Sequence, residues 1–183
     1  MNPYKKEYIN PIILDLVKPL GIEILSDSHA FMKYAQTMPL NVAGSYNPKR
    51  DFIAINENCI IPNTSQFDPV NSSNSTFLHE LTHWTGGKGR CNRIVLTSMQ
   101  ENGNSIGLSR KEMITEEFIA NYGSLVLLDL LGLKTIEAER SILYYSIFNN
   151  LFSQNDRLEI IQEVTKAIEF LQNTLQIKFK KVA

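Results

Sequence analysis

The chain has 183 residues, 43% of them hydrophobic and 20% charged, with a formal net charge of -1 and a pI of about 6.3. That length and apolar content can bury a core within one domain, and the near-zero charge excludes a general electrostatic drive towards nucleic acid or anionic membrane. No apolar run is long enough to span a bilayer, no h-region follows the start to mark a signal peptide, and Cys59 and Cys91, without C-x-x-C spacing, read as free thiols of a reducing, cytoplasmic compartment.

Asn10-Pro11 opens the first predicted helix, with Asn as cap and Pro at the first helical position. Its inner residues are Ile12, Ile13, Leu16 and Val17, and it stops near Pro19. Gly21 leads into Ile22–Leu25, an alternating run that reads as a strand. Residues 28–38 form a predicted helix with Phe31, Met32 and Ala35 inward. His29 lies near its start and reads as a surface or capping-region residue. Two extended runs, 41–46 and 51–56, flank Asn47-Pro48-Lys49-Arg50 and predict a hairpin. Its second strand, Phe52–Ile55, is a candidate ledge for an extended peptide. An ordinary sheet strand is the plainer alternative.

Residues 57–74, rich in Ser, Asn and Pro, read as a loop. Three Asn-x-Ser/Thr matches within it, at Asn63, Asn71 and Asn74, read as composition rather than glycan sites. Next comes Phe77-Leu-His-Glu-Leu-Thr-His-Trp-Thr-Gly86, a helix ended by Gly86-Gly87. Residues 88–108 are polar and glycine-containing and predict irregular structure, with Arg90 and Arg93 just beyond the histidines. Ser109-Arg-Lys-Glu112 is a capping box that starts a long helix ending at Leu131, with Gly132 as its stop. A further helix spans 135–152, with Ile136, Leu143, Ile147, Phe148 and Leu151 inward. Asp156 caps the last, whose stripe of Leu158, Ile161, Val164, Ile168 and Leu171 reads as core. The basic tail 178–181 reads as a solvated end. Few short strands followed by helices make the fold class α+β. Residues 1–183 read as one domain, with 1–40 a helix/strand/helix segment and 41–183 the core.

His79-Glu80-Leu81-Thr82-His83 carries the chemistry. On a helix, positions four apart share a face, so both imidazoles can reach one metal ion while Glu80 faces a water bound to it. This is the zinc-hydrolase arrangement, with Glu80 as the catalytic base and Zn²⁺ as the cofactor. The chain has only three histidines, and two stand here. The plain alternative is a solvated helix face. The apolar neighbours Phe77, Leu78, Leu81 and Trp84 argue for burial instead, and buried unpaired imidazoles are costly.

Two histidines leave a ligand to find. No histidine follows the motif, so the third donor is a carboxylate or another oxygen or sulfur atom. Thr115-Glu-Glu-Phe-Ile-Ala-Asn121 offers Glu116 and Glu117 between apolar residues. Adjacent helical residues point about 100° apart, so one of the two is solvated. Zinc peptidases of the glutamate-ligand type place Glu on a following helix, with a carboxylate four residues later supporting a ligating histidine. Glu117 and Asn121 have that spacing, so Glu117 is the expected ligand and Asn121 its supporting neighbour. Cys91 is an alternative that the spacing favours less.

The blocks Phe77–Gly86, Arg90-Cys-Asn-Arg93 and Glu116–Gly123 resemble, in order, those of the zincin metallopeptidase domain of ArdC-type antirestriction proteins. The resemblance spans roughly residues 42–171. It implies a zincin-like fold of the gluzincin type, with a small, mostly antiparallel sheet packed on the H-E-x-x-H helix and a helical C-terminal half. It also implies a zinc-dependent metallopeptidase (a hydrolase) encoded by mobile elements or phages, acting in counter-defence. Its expected partner is a peptide or protein substrate, a host protein, with no membrane partner. Full-length members carry an N-terminal domain that binds single-stranded DNA, for which the first forty residues are too short. Nucleic acid binding is therefore not expected. Asn121 stands where the family has a second glutamate. The alternative expectation is a non-catalytic zincin that inhibits a host defence factor by binding it.

Overall fold

The computed structural model describes residues 9–25, 42–56, 69–133 and 150–175, with the side chains of 69–73 left aside. The predicted helix over 28–38 with His29, Cys59, most of the helix over 135–152 and the tail 178–181 lie outside these residues.

Helix α1, Pro11–Val17, starts as its sequence predicts, with Asn10 Oδ1 accepting from the Ile12 N–H at 2.9 Å. Ile13 and Val17, four apart, are buried, whereas Ile12, expected inward, is exposed. A 3-10 turn, Lys18–Leu20, and Gly21 at φ 65° then lead to strand β1, Glu23–Leu25. Strands β2, Gly44–Asn47, and β3, Phe52–Ile55, form the expected antiparallel hairpin, in register Gly44 with Ile55 and Tyr46 with Ile53. Strand β1 joins on the other edge of β3 in parallel, so the sheet is mixed, in the order β1-β3-β2. All four residues of β3 are buried. With both edges of β3 paired, it cannot serve as the peptide ledge. Among the described residues, the strand with a free edge beside the motif helix is β2.

Helix α2, Pro69–Thr85, begins inside the stretch expected to be a loop. Pro69 suits a first helical turn. Asn74 is fully buried, and its Oδ1 accepts from the Asn10 N–H at 2.7 Å. That tertiary bond, sixty-four positions away in sequence, offsets the weak helix propensity of the Ser/Asn run. Phe77, Leu78 and Leu81 of α2 have no exposed surface and face β2, β3 and the later helices. Burial of each contributes roughly 1.5–3 kcal/mol relative to exposure.

Residues 94–102 were expected to be irregular but form helix α3, Ile94–Asn102. Its N-cap, Arg93, makes no side-chain capping bond, so no local signal announces it. Burial of Val95 and Leu96 in the core holds it, and Gly103 at φ 74° ends it. Helix α4, Arg110–Leu130, carries the full capping box. Ser109 Oγ accepts from the Glu112 N–H at 3.1 Å, and Glu112 Oε2 accepts from the Ser109 N–H at 2.6 Å. In helix α5, Gln154–Leu175, the cap is Ser153 rather than Asp156. Ser153 Oγ accepts from the Asp156 N–H at 3.2 Å, and Asp156 Oδ2 accepts from the Ser153 N–H at 3.0 Å. The inner face of α5 is Ile160, Val164, Ala167, Ile168 and Leu171. Leu158 and Ile161, expected in that stripe, are exposed. Among the described residues, no helix is long and apolar enough to cross a membrane.

Candidate metal centre

Helix α2 presents His79 and His83 on one face, with their Nε2 atoms 3.0 Å apart. Helix α4 crosses α2 and brings Glu117 opposite them. Its Oε2 lies 3.5 Å from His79 Nε2 and its Oε1 lies 3.6 Å from His83 Nε2. The crossing is close because Gly123 has no side chain. A Cβ there would come within 2.5 Å of Thr82 Cγ2. Glu80 lies near the same point, with one oxygen within 4.8 Å of a nitrogen of each histidine.

Each imidazole is held from behind. Asn121 Oδ1 accepts from His79 Nδ1 at 3.1 Å, and Glu116 Oε1 accepts from His83 Nδ1 at 2.9 Å. With hydrogen on Nδ1 of each ring, both Nε2 atoms are available to a metal ion. A shared proton or a cation between the two nitrogens satisfies both at that distance. Zinc bonds of about 2.0–2.1 Å in tetrahedral geometry put neighbouring nitrogens about 3.3 Å apart. The donor spacing fits one ion, and Glu117 adds a carboxylate opposite the two nitrogens.

Glu116 is buried, at 3% exposure, and Arg93 at 6%. Arg93 grips it as a fork, Nε to Oε2 at 2.8 Å and Nη2 to Oε1 at 2.9 Å. The same guanidinium donates to the Thr82 carbonyl at 2.6 Å and to Thr85 Oγ1 at 3.1 Å. It thereby satisfies groups in the last turn of α2, where a positive charge also complements the helix dipole. Gly86 makes room for it: a Cβ there would lie 2.7 Å from the guanidinium.

Charge in the centre follows from these contacts. Burial opposes charge on His83, but Glu116 and Glu117 outweigh it and push its pKa up to about 10. Burial likewise opposes charge on Glu117, and the two histidines hold its carboxyl well below the usual carboxylate range. Glu116 is also lowered against its burial, by the Arg93 charge and by His83. Glu80 moves the other way. Burial raises it, with the histidines and a hydrogen bond from the Tyr46 main chain opposing the rise.

A cleft of about 460 Å³ opens over these groups. Strand β2 forms one wall, and Val95, Leu96, Met99 and Met113 give it an apolar side. Gly44 of β2 runs close above the motif: a Cβ there would sit 2.6 Å from Thr76 Cγ2 and 3.1 Å from Glu80 Oε1. The hairpin is tied to the end of α2 by Arg90. Arg90 stacks on Trp84 at 4.2 Å and donates to Asp51 Oδ1 at 2.8 Å and to Tyr46 Oη at 2.7 Å. Tyr46 Oη in turn donates to Asp51 Oδ1 at 2.7 Å.

The structure thus brings together His79, Glu80, His83, Glu117 and Asn121, the residues singled out in the sequence. Of the two glutamates, of which one was expected to be solvated, Glu117 is the more exposed and Glu116 is buried. Cys91 does not line this cleft. It lines a second one beside Arg93, and burial raises its thiol pKa. Tyr46 and Arg90 are engaged with each other and with Asp51, and Arg93 with Glu116. The parts that sequence reasoning missed are the Arg93–Glu116 fork and its bond to His83. The only local trace of them is an arginine shortly after a helix stop.

Residues 34–164 match the family described as zincin-like metallopeptidase. No curated protein matches the chain. Among solved structures, the chain is similar to the antirestriction protein ArdC from plasmid R388. The Mn(II)-bound form aligns at 24% identity and a TM-score of 0.59, covering 91% of this chain and 52% of that one. The metal-free form aligns at 22% identity and a TM-score of 0.57, covering 91% and 51%. The chain therefore spans about half the length of that protein, and the likeness is one of fold.

Proposed function

The chain belongs to the zincin-like metallopeptidase family, and from that premise we propose that it is a zinc-dependent peptidase hydrolysing peptide bonds in the cleft under strand β2. One observation carries the reading: two Nε2 atoms 3.0 Å apart, with a carboxylate 3.5 and 3.6 Å from them. His79, His83 and Glu117 would hold the metal, as in gluzincins. When bound, Zn²⁺ polarises the scissile carbonyl and acidifies a water. Asn121 and Glu116 fix the two rings so that Nε2 faces the ion. Glu80, which projects from the same helix one residue after His79, takes the proton from the attacking water and delivers it to the leaving amine. The outer edge of β2, unpaired among the described residues, can pair with an extended peptide backbone and hold it across the site.

Similarity to a plasmid antirestriction protein supports a counter-defence role, with a host protein in the cytoplasm as the substrate. The test is metal content together with cleavage of candidate host proteins by wild type and Glu80→Gln. Glu80→Gln should keep its metal and lose activity by about 10²–10⁴-fold. A purified wild type that binds no zinc, or a Glu80→Gln variant that cleaves normally, would overturn the reading.

A second reading is a non-catalytic binder of a host defence factor. The neutral Asn121 behind His79 favours it, because an amide raises ligand basicity less than a carboxylate does. Full protection retained by Glu80→Gln would decide for binding over catalysis.

A further inference from the structure

Resting on the metal-centre reading above, we propose that Arg93 is a positioning residue for the metal: through Glu116 it sets how tightly His83 binds it. The geometry forms an unbroken chain. Arg93 Nε and Nη2 hold both oxygens of Glu116 at 2.8 and 2.9 Å, and Glu116 Oε1 accepts from His83 Nδ1 at 2.9 Å. His83 Nε2 then faces His79 Nε2 and Glu117.

Three features make this more than a surface ion pair. Both members are buried, so water does not screen the contact. The guanidinium is also fixed on its far side by the Thr82 carbonyl and Thr85 Oγ1. It therefore ties Glu116 to the very turn of α2 that carries His83. Finally, both oxygens of Glu116 are already engaged, Oε1 by His83 and Arg93 and Oε2 by Arg93, which suits a support rather than a ligand.

The physical consequence concerns the tautomer and angle of one ring. A carboxylate held on Nδ1–H keeps the hydrogen there and leaves Nε2 as the lone-pair donor. A free glutamate samples several rotamers. The planar fork selects one of them, and lysine, a single point charge on a flexible stem, cannot reproduce it. Thr85 and Gly86, directly after the H-E-x-x-H helix's Trp84, thereby gain a role. Thr85 anchors the fork, and Gly86 leaves the space the guanidinium fills.

The experiment measures Zn²⁺ affinity of the metal-free full chain by chelator competition. It compares wild type, Arg93→Lys, Glu116→Gln, the double variant and His83→Ala, at a temperature where each is folded. Arg93→Lys and Glu116→Gln should each weaken zinc by about 10–100-fold. The double variant should be no weaker than the worse single one, because both break the same chain. The visible absorption of the Co²⁺-loaded protein should change in both single variants. A folded Arg93→Lys protein with zinc affinity within about threefold of wild type overturns the proposal, even if its melting temperature falls, since that is what a purely structural role would give. Where Arg93→Lys does not fold, Glu116→Gln alone decides by the same criterion. A wild type that binds no zinc, or a His83→Ala variant that binds it normally, would refute the metal centre itself and so remove the proposal's premise.

Discussion

Replacing Gly123 by alanine tests whether the crossing of α2 and α4 sets the centre. The new methyl would sit 2.5 Å from Thr82 Cγ2 and 2.8 Å from Thr82 Oγ1. Carbon–carbon contacts relax at about 3.5 Å, so α4 must retreat by about 1 Å. Otherwise Thr82 must rotate and break its 2.8 Å bond to the Leu78 carbonyl. Overpacking of this kind costs about 1–3 kcal/mol. For a chain of this length, that lowers the melting temperature by roughly 2–12 °C. Asn121 lies two residues from the forced contact and Glu117 six, about 9 Å along the helix axis, so both withdraw from the histidines. Zinc affinity should fall at least tenfold, and a misplacement of about 1 Å can cost about 10²-fold in rate. Calorimetry and chelator competition read the two effects separately. Adding Thr82→Ala leaves only Thr82 Cβ, at 3.3 Å, and should recover most of the affinity. A Gly123→Ala protein with wild-type melting temperature and zinc affinity would refute the reasoning.

Two further substitutions probe contacts outside the metal centre. Arg90→Met removes the bonds to Asp51 and Tyr46 but keeps a side chain over Trp84. It should cost about 1–2 kcal/mol in urea unfolding and speed amide exchange in residues 47–51; unchanged exchange there would remove Arg90 as the hairpin's anchor. At the start of α5, Lys111 and Ser153 hold the Asp156 carboxyl down to about 2. A depressed carboxyl stabilises the fold above its unfolded value, near 3.8, and that contribution is lost as pH falls through about 2. Wild type should therefore melt above Asp156→Asn at pH 5, with the gap closing towards pH 2. A gap independent of pH over that range would show that the Asp156 charge is not its source.

Much of the centre was legible because it is local. Four-residue spacing puts His79 and His83 on one helical face whatever the rest of the fold does. The Ser109–Glu112 capping box likewise starts α4 with no help from distant residues. Other features depended on contacts far away in sequence. Helix α2 starts at Pro69 where Asn74 meets the Asn10 backbone, and α3 forms by burying Val95 and Leu96 with no cap to announce it. Among the described residues, which edge of the hairpin is paired was decided by β1 joining β3.

The amino-acid sequence by itself determined the donors: two imidazoles on one face, a carboxylate between them, and a pair of glutamates on a following helix. Tertiary structure decided where each glutamate points. Adjacent helical residues diverge by about 100°, so the rotation of α4 about its axis turns Glu117 to the Nε2 atoms and Glu116 to His83 Nδ1 and Arg93. Gly123 and Thr82, forty-one positions apart in sequence, meet where the two helices cross. No local pattern records a contact over that separation, so it appears only when the two helices pack.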